Sequence, residues 1–80
     1  MRKEEIADFC EYTLQKMQEF DFDFYFKMLR VKGYEVTPRY DKDKKLVGYT
    51  IGKNASVFKA SKIGRRYMAS QLDATWKKLH

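Results

Sequence analysis

Lys59, Ser61, Lys62, Arg65 and Arg66 stand in one short segment around Gly64, offering four cations and a hydroxyl but no nucleophile with a base beside it. Such a set holds phosphate oxygens and neither makes nor breaks bonds. Ser61 ahead of Lys62-Ile63-Gly64 predicts a capped helical turn. Its free N–H groups and flanking cations then form a phosphate cradle, and a plain N-cap is the competing reading. Arg39 and Lys53 extend the same basic set, and Tyr40, beside a charged turn, is the aromatic best placed to stack on a base. Tyr49, Tyr67 and Trp76 carry the same stacking chemistry, but core packing is the better reading, above all for Trp76 at helical spacing from Leu72 and Leu79.

Other chemistry finds little support. The chain has one cysteine, Cys10, and one histidine, His80, so neither an internal disulfide nor a histidine-rich metal centre can be assembled, and no cofactor is expected. Cys10 falls on an apolar helical stripe and reads as a small core residue. Asp21 and Asp23 pair two carboxylates, but at a helix start capping explains them better than acid and base catalysis. The expectation is a protein that is not an enzyme.

Charge is divided along the chain. Residues 1–26 hold three basic and seven acidic side chains, whereas residues 27–80 hold fourteen basic and four acidic, a net +10 against +6 for the whole. That asymmetry suits a polyanionic partner, with a lopsided solvated surface as the bland alternative. Lys42, Lys44 and Lys45 in the turn from Asp41 fit either a phosphate contact or a solvated hairpin tip.

Eighty residues, 44% of them hydrophobic and 16% aromatic, suffice for one small core. No window approaches the roughly 18 apolar residues of a membrane span, and the charged, periodic start does not read as a signal peptide, so a cytoplasmic location is expected. Ile6, Phe9, Cys10, Thr13, Leu14 and Met17 recur at helical spacing and predict the first helix. The stretch from Phe20 is ambiguous, because Phe20, Phe22, Phe24 and Phe26 alternate as in a strand while Phe22, Tyr25, Phe26 and Leu29 fit a helix. Asp21 as cap and Gly33 as stop favour the helix. Three β-prone runs follow from Tyr34, Leu46 and Ser56, with turns at Asp41–Lys45 and Gly52–Ala55, and Pro38 makes the first run an edge or a short strand. A final helix carries Leu72, Thr75, Trp76 and Leu79 on its buried face, and Gly64 is expected to supply a left-handed step before it. The predicted fold is α+β in the order ααβββα, with Phe9, Leu14, Phe26, Leu29, Val36, Ile51, Phe58, Ile63, Leu72 and Trp76 in the core.

Residues 20–80 resemble the small module that follows the nuclease domain in relaxases of bacterial mobilisable plasmids and conjugative transposons. The resemblance rests on Gly33, Tyr34 and Val36, then Gly48 and Ile51, then the run Phe58-Lys59-Ala60-Ser61-Lys62-Ile63-Gly64-Arg65-Arg66-Tyr67, closed by Leu72 and Thr75-Trp76. Residues 1–19 form an amphipathic helix outside it, and the whole is read as a single small domain of 1–80. Relaxases nick DNA with a tyrosine and a metal held by histidines, and this chain has neither arrangement, so it is read as a fragment or freestanding copy of the non-catalytic module. The resemblance implies DNA, single- or double-stranded, as partner, held through a basic face of Arg39, Tyr40, Lys53, Lys59, Ser61, Lys62, Arg65 and Arg66. The rival expectation is a protein-interaction module in which the first helix and the Phe-rich segment dock onto the nuclease domain or another transfer protein.

Overall fold

Acidic residues in its first turn and Lys16 in its last suit the dipole of helix α1, Lys3–Lys16, in a computed structural model that describes residues 3–80. Its apolar stripe buries Ile6, Cys10, Thr13 and Leu14, with Met17 just beyond its end. Helix α2, Phe22–Lys32, resolves the ambiguous segment in favour of the helix, because both of its ends are capped locally. The Asp21 carboxylate accepts from the Asp23 N–H at 3.1 Å. Gly33, at φ +112°, turns the chain so that the N–H groups of Gly33 and Tyr34 reach the Arg30 and Leu29 carbonyls at 3.0 and 3.1 Å. Tyr25, Phe26 and Leu29 face inward and Phe24 is left 45% exposed, which a strand with all four phenylalanines on one face would not allow.

Strands β1 (Glu35–Tyr40), β2 (Leu46–Lys53) and β3 (Ser56–Lys59) form an antiparallel meander in the order β1-β2-β3. Pro38 lies on β1, an edge strand, as its missing donor requires. In the first turn the Asp41 carboxylate accepts from the N–H groups of Asp43 and Lys45 at 2.8 and 3.0 Å. The second turn is shorter than expected: Gly52 and Lys53 pair with Val57 and Ser56, leaving only Asn54 and Ala55 to reverse the chain, with Asn54 at φ +59°.

The C-terminal region is divided into helix α3 (Ala60–Ile63), a 3₁₀ turn (Arg65–Tyr67) and helix α4 (Leu72–Leu79). Gly64 does not take the expected left-handed step; its φ of 172° is extended backbone, and that extension interrupts the helix. A Cβ there would lie 3.0 Å from the Tyr67 ring, a tight contact that the ring must relieve by moving a few tenths of an ångström.

Helices and sheet enclose one core, whose largest fully buried side chains are Tyr25 and Tyr49. Phe9, Phe58, Ile63 and Trp76, expected inside, are only partly buried against it. Trp76 stays at the rim because its indole N–H donates to the Met17 carbonyl at 2.9 Å, just past the end of α1. His80 reinforces that junction, donating from Nε2 to the Leu14 carbonyl at 3.1 Å and packing on the Trp76 ring at 4.7 Å. Among the described residues no helix is long and apolar enough to cross a membrane.

Candidate nucleic-acid interface

Strand register decides which side chains leave the sheet together. Val36 opposite Ile51 and Pro38 opposite Tyr49 share the face that packs on the core. The alternate residues form the other face in cross-strand rows: Glu35, Gly52 and Val57; Thr37, Thr50 and Lys59; Arg39 and Gly48. Thr37, Arg39, Val57 and Lys59 are exposed, so this second face lies open to solvent.

Because β3 pairs only with Thr50–Lys53, the Val47–Tyr49 stretch of β2 has no strand partner on that side. A cleft of about 150 Å³ opens there. Arg39, Gly48 and Thr50 line it from the sheet, Lys59, Ala60 and Ser61 from the β3–α3 junction, and Met68 and Ala69 from the segment before α4. No carboxylate lines it, whereas three other grooves contain Glu19 and Asp21, Glu5 and Asp8, and Asp21 and Asp23 respectively.

The residues predicted to touch nucleic acid are divided by this geometry. Arg39, Lys59 and Ser61 meet in the cleft, and Lys62 and Arg65 are exposed on α3 and the 3₁₀ turn that follow it. Arg66 turns instead toward α1, 3.7 Å from the Glu11 carboxylate and over the Tyr67 ring at 5.4 Å. Lys53 lies over the Tyr34 ring at 5.9 Å, at the far end of β2. Tyr40 is 58% exposed, but the alternation of β1 sends it away from Arg39 into the groove that holds Asp21 and Asp23.

The expected cap at Ser61 is not formed. Lys59 occupies the N-cap position, no side chain caps the turn, and Ser61 is the second residue inside a four-residue helix. The phosphate cradle predicted from an N-cap serine is therefore not built; Ser61 lines the cleft wall only.

Tyr49 and Tyr67 are buried and do not offer ring faces for stacking. The Tyr49 hydroxyl donates to the Tyr67 carbonyl and so accepts from the Tyr25 hydroxyl at 3.0 Å. Burial holds the phenols of Tyr25 and Tyr49 above their ordinary range and raises Tyr67 as well, although Arg66 opposes the shift at Tyr67. Burial pushes the Cys10 thiol up to about 11, an effect partly offset by its hydrogen bond with Tyr25. These groups stay protonated near neutrality and are not poised as nucleophiles.

Gly48, Thr37 and Thr50 belong to the open face and were not singled out as site residues from the sequence. The signal for them was Gly48 in the middle of a β-prone run, since glycine inside a strand marks either a bulge or a close approach. No protein-family model, curated protein or solved structure matches the chain.

Proposed function

We propose that this chain is a non-catalytic DNA-binding module of the kind that accompanies relaxases in conjugative transfer. The observation that carries the reading is the acid-free cleft in which Arg39, Lys59 and Ser61 meet, with Lys62 and Arg65 exposed on the segment just beyond it. Cations gathered without carboxylates attract phosphate, and Glu5 and Asp8 of α1, with Asp21 and Asp23 at the α2 start, lie on other grooves, which favours one orientation toward a polyanion. The run from Phe58 to Tyr67, which bears the resemblance to relaxase modules, includes Lys59, Ala60 and Ser61 of this cleft.

The chain's other reactive groups have structural employment. His80 and Trp76 tie α4 to the end of α1, and Cys10 is buried, so the reading assigns no catalytic residue. Docking onto the nuclease domain or another transfer protein ranks second. Of the three phenylalanines that would form the docking patch, only Phe24 is exposed, while Phe20 and Phe22 are half-buried and pack edge to face at 4.8 Å.

Titration of labelled single- and double-stranded oligonucleotides at low and high salt tests the proposal. Binding that weakens steeply with salt is expected. Absence of binding to any DNA at low salt would transfer the assignment to docking.

A further inference from the structure

Three of the four glycines have an internal reason to be glycine. Gly33 has φ +112°, a Cβ on Gly52 would fall 2.4 Å from the Ser56 carbonyl oxygen, and one on Gly64 would fall 3.0 Å from the Tyr67 ring. Gly48 has none: its φ is not positive, and nothing lies within 4 Å of where its Cβ would be. Glycine within a strand sacrifices packing and adds flexibility to the unfolded chain. Left bare in β2, beside Arg39 and on the open face, it suits an outside body that approaches the backbone closely.

We propose that the open face of the sheet enters the major groove of duplex DNA, with β2 over the groove floor and Arg39 and Lys59 reaching its two sides. The inference rests on the DNA-binding reading above and names the form of DNA. The β1–β2 pair is a two-stranded ribbon, the element that a major groove about 12 Å wide admits, and the short β3 brings Lys59 to its margin. Arg39 on β1 and Lys59 on β3 flank β2 from opposite sides, beside Gly48 and Thr50 respectively, so the two cations lie diagonally across the face. Between them Thr37 and Thr50 offer hydroxyl and methyl groups, the chemistry that meets base edges and thymine methyls. Glu35 occupies the far end of the face, away from Arg39, and disfavours phosphate there.

Two competing nucleic acids fit less well. The outward positions include no aromatic ring, so the face lacks the platform that holds single strands by stacking. The deep, narrow major groove of duplex RNA does not admit a sheet.

The test compares a short mixed-sequence DNA duplex, its single strand and the matching RNA duplex as ligands for the full chain and for Gly48→Glu. The unoccupied space above Gly48 lets the new carboxylate be accommodated, and circular dichroism monitors the fold. Preference for duplex DNA is expected, with a loss of about tenfold or more in Gly48→Glu as the carboxylate meets the groove. A second arm leaves the protein unaltered: a duplex whose major groove is filled by glucosylated hydroxymethyl groups on cytosine C5 should bind at least about tenfold more weakly, whereas a minor-groove drug should leave binding within about twofold. Duplex binding that ignores the filled groove overturns the inference and leaves the DNA-binding reading standing, as does stronger binding to the single strand. Absence of salt-sensitive binding to all three nucleic acids removes both.

Discussion

The Tyr25 hydroxyl on α2 donates to the Tyr49 hydroxyl on β2 at 3.0 Å, and the Tyr49 hydroxyl donates in turn to the Tyr67 carbonyl, so a directed chain of hydrogen bonds crosses the core. Its direction makes the two tyrosines unequal. Tyr49→Phe leaves the Tyr67 carbonyl without that donor and the Tyr25 hydroxyl without its acceptor, and should cost about 2–3 kcal/mol. Tyr25→Phe removes a donor but leaves Tyr49 bonded to the carbonyl, and should cost about 1 kcal/mol. Urea unfolding monitored by circular dichroism measures both, and an equal or inverted ranking would mean that the Tyr49–Tyr67 hydrogen bond does not contribute as stated.

Burial of the same cluster predicts alkaline sensitivity. The Cys10 thiol, ordinarily at 9.0, is pushed up to about 11, so the fold favours its protonated form. Its contribution is fully present below pH 9 and is lost as pH rises from 9 to about 11, because the unfolded chain ionises first. Tyr25 and Tyr49, raised from 10.0, carry the decline further in the same direction. Each group steepens the fall by up to about 1.4 kcal/mol per pH unit. Cys10→Ser or Cys10→Ala should flatten the first part of this decline. In the native protein at pH 8 the thiol should resist a disulfide reagent and react at once in denaturant; rapid native reaction would place Cys10 outside the core.

Local signals were the legible ones. Asp21 and Gly33 cap α2 through groups within four residues of themselves, so a reader of the sequence can weigh them, and they decided the ambiguous phenylalanine stretch correctly. The ααβββα order followed from such signals. The core residues expected from the sequence do not include Tyr25 and Tyr49; a buried phenol needs a partner, and theirs joins residues on different elements, which spacing along the chain does not show. At the candidate interface, Lys59 and Ser61 were visible as part of one basic run. The fate of their neighbours depended on facts that a linear reading lacks: strand alternation separates Arg39 from Tyr40, and Glu11 of α1 draws Arg66 away.

The glycines of β2 should respond to alanine with opposite signs. Gly48→Ala adds a methyl group into open space at a backbone conformation that alanine accepts, and should stabilise the fold by about 0.4–1 kcal/mol. Gly52→Ala forces a Cβ to within 2.4 Å of the Ser56 carbonyl oxygen and 2.9 Å of a Val57 methyl, and should cost about 1–3 kcal/mol. Thermal melts of the two variants beside the parent measure the difference. Loss of stability in Gly48→Ala would mean that the space above it is already filled.

Under the proposed DNA-binding function, charge neutralisation should separate the cations in and beside the cleft from those placed elsewhere. Arg39 and Lys59 line the acid-free cleft, and Lys62 and Arg65 are exposed beyond it. Replacing any of these four by glutamine should weaken binding and lower the magnitude of the salt slope by roughly 0.9 on duplex DNA, or by roughly 0.7 on a single strand. Arg66, held near Glu11, and Lys53, over the Tyr34 ring, should leave the slope nearly unchanged, as should Lys16 on the acidic α1. Fluorescence anisotropy across a salt series supplies the slopes. All variants carry the same change of charge, so attraction by net charge alone predicts equal losses throughout, and only a localised interface predicts that the four residues in and beside the cleft separate from the other three.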